Sequence, residues 1–89
     1  MTQITEEQVK ASILEFLIKK RKWGSYYFPT DTLVNFLSRK IKRNGKRIRR
    51  CIEQLASQGY VLLHKKGKTL SLNPTRGREI IEYVRRIGK

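Results

Sequence analysis

The residues best equipped for chemistry are cations. Eight of them fall in the twelve positions from Arg39 to Arg50 of the stretch SRKIKRNGKRIRR, with no carboxylate among them. Guanidinium and ammonium groups at that density suit charge-assisted hydrogen bonding to an anion with many oxygens, and arginine adds a planar fork that can donate two bonds at once. Lys65, Lys66 and Lys68 form a second group in KKGK, and Lys19 to Lys22 a third, KKRK. Catalytic groups are scarce by comparison. His64 and Cys51 are the only histidine and cysteine, so the chain alone offers neither a metal site nor an intrachain disulfide. No GxxxxGK[ST] or HExxH is present. Glu79 and Glu82 stand three apart but alternate with Arg78, Arg85 and Arg86, the pattern of a solvated ionic face. The expectation is a binding protein, with no enzyme activity, cofactor or metal.

The whole composition agrees with that expectation. Twenty-one Lys and Arg against seven Asp and Glu give a net charge of +14 over 89 residues. A surface so self-repelling is normally matched to a polyanion, which leaves DNA, RNA or acidic lipid as partners. A hydrophobic content of 38% at regular spacing argues against a disordered basic tail. The length suits one domain, 1–89, with a core too thin for a large internal cavity. A single cysteine fits a reducing interior. The polar, acidic start MTQITEEQVK is unlike a signal peptide, and no apolar run approaches the ~20 residues of a membrane span. A soluble, cytoplasmic protein with no membrane partner is expected, associated with the nucleoid when bound to DNA.

Positioning these cations requires ordered elements. TEEQ, Thr5 to Gln8, has capping-box spacing and should open a helix over 6–22, with Val9, Ile13, Phe16 and Leu17 inward. Lys19 to Lys22 would then favour the negative end of its dipole. SYYF at 25–28 suits a short strand, since Pro29 forces Phe28 to be extended. Thr30 offers an N-cap for a helix over 31–41, whose stripe is Leu33, Phe36, Leu37 and Ile41. Asn44 and Gly45 mark a turn. A third helix, 45–58, buries Ile48, Cys51, Ile52 and Leu55 and ends at Gly59. Its opposite face carries Lys46, Arg50, Glu53 and Ser57, flanked by Arg43, Arg47, Arg49 and Gln54. Glu53 is expected to pair with Arg49 or Arg50 one turn earlier, the alternative being to accept a hydrogen bond from cytosine N4. YVLLH and TLSLN make a hairpin, 60–73, around Gly67, and Thr75 caps a last helix, 76–87, with Ile80, Ile81, Val84 and Ile87 inward.

This α+β, mainly helical order of helix, short strand, helix, turn, helix, hairpin and helix resembles the winged helix-turn-helix domain, as in small bacterial and archaeal transcription regulators. The part that carries the resemblance furthest is IRRCIEQLASQGYVLLHKKGKTLSLN, Ile48 to Asn73, which is similar to a recognition helix, the Gly and apolar pair that ends it, and a basic wing. The resemblance implies double-stranded DNA as partner, with the third helix in the major groove. Arg47, Arg50 and Gln54 are the base-edge candidates, because arginine can donate twice to guanine. Thr30, Thr32, Arg43, Lys46 and Arg49 are the phosphate candidates, the two threonines through hydroxyls and free helix-start N–H groups. Lys65, Lys66 and Lys68 would lie on the adjacent backbone or minor groove. Two alternatives stay open: an RNA-binding winged helix, relying on wing and basic rim, and a protein adaptor using aromatics between Trp23 and Phe28. The last helix permits either a monomer or a homodimer.

Overall fold

The computed structural model describes residues 5–40 and 45–87. The expected elements at Ile41 and Asn44, and the candidate Arg43, lie outside the described residues. Helix α1, Glu6–Lys19, starts where the capping box places it. The Gln8 N–H donates to Thr5 Oγ1 at 3.1 Å, and the Thr5 N–H donates to Gln8 Oε1 at 2.9 Å. Its buried residues, Val9, Ala11, Ile13, Leu14 and Leu17, spread wider than one narrow stripe because α1 is central. It packs against all three later helices and the sheet. The helix stops at Lys19 rather than continuing to Lys22. Arg21 turns left-handed with φ 57°, so its N–H reaches Ile18 O and the N–H of Lys22 reaches Leu17 O, both at 3.0 Å. That is a Schellman closure with an arginine where glycine is usual.

The chain then makes a tight loop instead of the strand expected over 25–28. Trp23 forms one parallel bridge to Leu72, and the Tyr26 N–H turns back to Trp23 O at 3.1 Å. Strand β1 is only Phe28–Pro29, pairing Phe28 with Leu70 and Pro29 with Thr69. It lies at the sheet edge, where a residue without an N–H is tolerated. Helix α2, Thr30–Lys40, begins one residue early, so Thr30 belongs to the helix and does not cap it. The Thr30 N–H donates to Lys68 O at 2.9 Å, which draws the start of α2 against the hairpin. Leu33, Val34 and Leu37 are buried. Phe36, expected inward, is 41% exposed because it sits on the flank of that stripe.

Helix α3, Gly45–Ser57, buries Ile48, Cys51, Ile52 and Leu55, as its spacing requires. Each such side chain contributes roughly 1.5–3 kcal/mol of apolar transfer. Gly59 closes it at φ 85°, its N–H donating to Ala56 O at 3.1 Å while the N–H of Tyr60 donates to Leu55 O at 2.9 Å. The second Schellman closure therefore has the glycine that the first lacks. Strands β2, Val61–His64, and β3, Thr69–Leu72, form the hairpin, and the antiparallel sheet runs in the order β1-β3-β2. Leu70 and Leu72 face the core, whereas Ser71 on the other face is covered and donates its hydroxyl to Gly24 O at 2.7 Å.

The last helix is capped differently from expectation. Asn73, not Thr75, is the capping residue: its Oδ1 accepts from the Thr75 N–H at 3.1 Å and from the Thr75 hydroxyl at 2.8 Å. Pro74–Arg76 consequently form a 3-10 turn before helix α4, Gly77–Ile87. Ile80 is fully buried on α1, but Ile81, expected inward, is 43% exposed. Three helices around one core, a short three-stranded wing and a final helix over α1 make up an α+β architecture consistent with a winged-helix domain.

Candidate nucleic-acid interface

The four apolar residues of α3 fix the helix against the core and so determine which cations turn outward. Lys46, Arg49, Arg50, Glu53 and Ser57 are exposed, whereas Arg47 and Gln54 are half-buried. The two flanks differ. On one side Cys51 Sγ lies 3.9 Å from Glu6 O, so this flank of α3 faces the start of α1, and Arg47, one turn before Cys51, stands on it. On the other side Arg49 reaches α2, its Nη2 donating to Asp31 Oδ1 at 2.7 Å. Of the base-edge candidates, Arg50 stands at the centre of the outward face, and Arg47 and Gln54 stand at its α1 edge. Lys46 shares the centre with Arg50. Of the two partners expected for Glu53, Arg49 or Arg50, Arg49 is bridged to Asp31 instead.

The hairpin turn carries three more cations, of which Lys66 faces α3. Lys65, Lys66 and Lys68 are all exposed around Gly67. The turn is strongly left-handed: Lys65 and Lys66 have φ of 51° and 56°, and Gly67 has φ 85° with open space where a Cβ would be. Between this turn and α3 lies a crevice of about 420 Å³. Arg49 and Glu53 form its helix side, Lys66 its hairpin side, and Ile52 and Leu63 its apolar floor. Leu63 is 39% exposed there. The strand pattern of YVLLH gives Leu63 no such role, and no local signal pairs Asp31 with Arg49. Alternation alone puts Leu63 on the inward face with Val61, nearer the turn. Only the tertiary fold reveals the crevice floor and the bridge.

The two threonines separate. Thr32 is exposed in the first turn of α2, open to an anion. Thr30 is 5% exposed, its hydroxyl has no hydrogen-bond partner among the described residues, and its N–H is taken by Lys68 O. Thr30 therefore has neither donor free on the surface. The aromatics divide likewise: Trp23 packs on the core over Gly77, while Tyr26 is 67% exposed and Tyr27 stacks on His64 with centroids 3.8 Å apart.

Cys51 is buried, and that burial raises its thiol pKa, with the Glu6 carboxylate adding in the same direction and Lys10, Arg47 and Arg50 opposing. The thiol is held neutral, as a small apolar group in the core. Among the described residues no group of three or more His, Cys, Asp or Glu could hold a metal ion, and no helix is long and apolar enough to cross a membrane. Compared with protein-family models, curated proteins and solved structures, the chain matches none.

Proposed function

We propose that the chain binds double-stranded DNA as a transcription regulator, with α3 in the major groove and the 65–68 turn against the adjacent backbone or minor groove. The observation that carries this reading is a crevice with Arg49 of α3 on one side and Lys66 of the hairpin turn on the other, with Lys46, Arg50, Lys65 and Lys68 exposed on the same two elements. A helix fits the major groove of B-form DNA, and an arginine at its outward centre is placed to meet guanine O6 and N7. Arg50 takes that role, with Arg47 and Gln54 reaching bases from the α1 edge. Lys46, Arg49 and Thr32 meet phosphates. Asp31 holds the Arg49 guanidinium in place, leaving its remaining N–H groups for an oxygen of the backbone.

A-form RNA has a major groove too deep and narrow for such a helix. An outward arginine at mid-face would have little to read there, so the geometry favours DNA over RNA. Of the aromatic patch that the adaptor alternative would use, Trp23 is half-buried against the core, which leaves Tyr26 and Tyr27 as its exposed members. Selection from random duplex DNA and random RNA pools at moderate salt tests the proposal. Enrichment of one duplex motif is the expected result, and a palindrome with half-sites ~34 Å apart would mean a homodimer. Enrichment from the RNA pool alone would overturn it.

A further inference from the structure

A second surface lies on the far flank of α2 from α3. Asp31 marks the α3 flank through its bridge to Arg49, and Phe36 marks the α1 flank through its ring, 5.0 Å from that of Phe16. A groove of about 360 Å³ runs between the C-terminal halves of α1 and α2. Its floor is aromatic: Phe36 is 41% exposed, and Phe16 is in edge contact with Phe28 at 5.1 Å behind it. Its rim is cationic. Lys20 Nζ stands 5.6 Å from the centroid of Phe16 and Lys40 Nζ 5.0 Å from that of Phe36. Lys19 is bridged to Glu15 at 3.7 Å, so the one carboxylate of the groove is already engaged. Among the described residues, Lys20 and Lys40 have no carboxylate partner.

We infer that this groove is a docking site for an acidic amphipathic peptide segment of a partner protein. Phe16 and Phe36 receive an aromatic or branched apolar anchor, while Lys20 and Lys40 pair with carboxylates on either side of it. The groove is not an enclosed cavity, and its two rings and two ammonium groups come from neighbouring helices, which suits a helical segment presenting anchors at i, i+3 and i+4. Charge complementarity selects the partner: apolar anchors alone would find no reason for the ammonium rim, and a basic segment would be repelled. Because α2, roughly 10 Å across, separates the groove from α3, the peptide and a duplex occupy different faces.

The test is an ¹⁵N NMR titration of the full chain with a synthetic helical peptide carrying Leu and Phe anchors flanked by Asp and Glu. A second peptide has the acids replaced by their amides. Saturable shifts should centre on Phe16, Lys20, Phe36 and Lys40. The amide peptide and the variants Lys20→Glu and Lys40→Glu should each bind roughly three- to tenfold more weakly, as expected for exposed ion pairs lost or reversed. Arg50→Glu should change the affinity less than twofold, which separates docking from general attraction to a basic protein. Lys40→Glu alters an exposed side chain and leaves the core intact, so it remains informative if Phe36→Ala lowers stability. Equal binding of the amide peptide, shifts confined to α3 and the hairpin, or a larger effect of Arg50→Glu than of Lys40→Glu would overturn the inference. These measurements need no DNA, so failure of the DNA reading leaves them intact.

Discussion

Two helices of this protein end by the same hydrogen-bond pattern with different residues at the left-handed position, and the contrast yields a prediction with opposite signs. After α3 the position is Gly59, φ 85°, and after α1 it is Arg21, φ 57°. An L side chain in this region places Cβ against the following carbonyl at a cost of roughly 1–2 kcal/mol. Part of that is offset in Gly→Ala because alanine also restricts the unfolded chain, by about 0.4–1 kcal/mol. A Cβ at Gly59 would meet the Arg76 guanidinium at 3.5–3.7 Å, an ordinary contact, so no clash adds to the backbone term. Gly59→Ala should therefore destabilise by about 1 kcal/mol and Arg21→Gly should stabilise by a similar or smaller amount. For a domain of this length each kcal/mol corresponds to a shift of roughly 4–8 °C in Tm. Urea and thermal unfolding followed by far-UV circular dichroism would measure both. If Gly59→Ala changes stability by less than ~0.3 kcal/mol, or both variants move it the same way, the conformational reasoning fails.

Three further outcomes follow from the site and the core. Arg50→Ala should lose discrimination between DNA sites worth ~1–3 kcal/mol, whereas Arg47→Ala, on the half-buried edge, should lose less; fluorescence anisotropy on matched and mismatched duplexes distinguishes them, and the reverse order would move the reading face. Cys51 should resist thiol reagents in the folded protein and react once urea unfolds it, with equal rates in the two states counting against its burial. Because the folded state raises the Cys51 pKa, the stability from its neutral thiol is complete below the unfolded value, near pH 8.5, and declines as pH rises toward the folded one. The urea midpoint should fall above that pH, more gently in Cys51→Ala, with Tyr83, also raised mainly by burial, adding a decline further up.

Much of this arrangement was legible in the order of residues, and the failures share physical causes. Local signals worked where one short stretch carries the whole determinant: the Thr5–Gln8 box, the Gly59 closure and the i, i+3, i+4, i+7 stripe of α3 all appear as read. They failed where tertiary contacts decide. SYYF has strand propensity, but only Phe28 and Pro29 find β3 beside them, and the preceding residues fold back into a loop. Thr75 has capping chemistry, yet Asn73 stands two residues earlier and satisfies its N–H. Leu14 and Val34 are buried because α1 and α2 are packed on more than one side, which a single-stripe reading does not anticipate. At the site, helical periodicity identified the outward centre of α3, but the Arg49–Asp31 bridge, the crevice floor at Leu63 and the exposure of Phe36 depend on how separate elements meet.

If α3 and the hairpin turn hold one duplex through their cations, duplex affinity must fall steeply with salt. Six cations of these two elements, Lys46, Arg49, Arg50, Lys65, Lys66 and Lys68, are exposed, and Arg49 and Lys66 line the crevice between them. If each neutralises one phosphate, log K should fall against log salt with a slope of about −5, and replacing the three lysines by glutamine should bring it to about −3. A flat response, or a slope unchanged in the triple variant, would contradict the account.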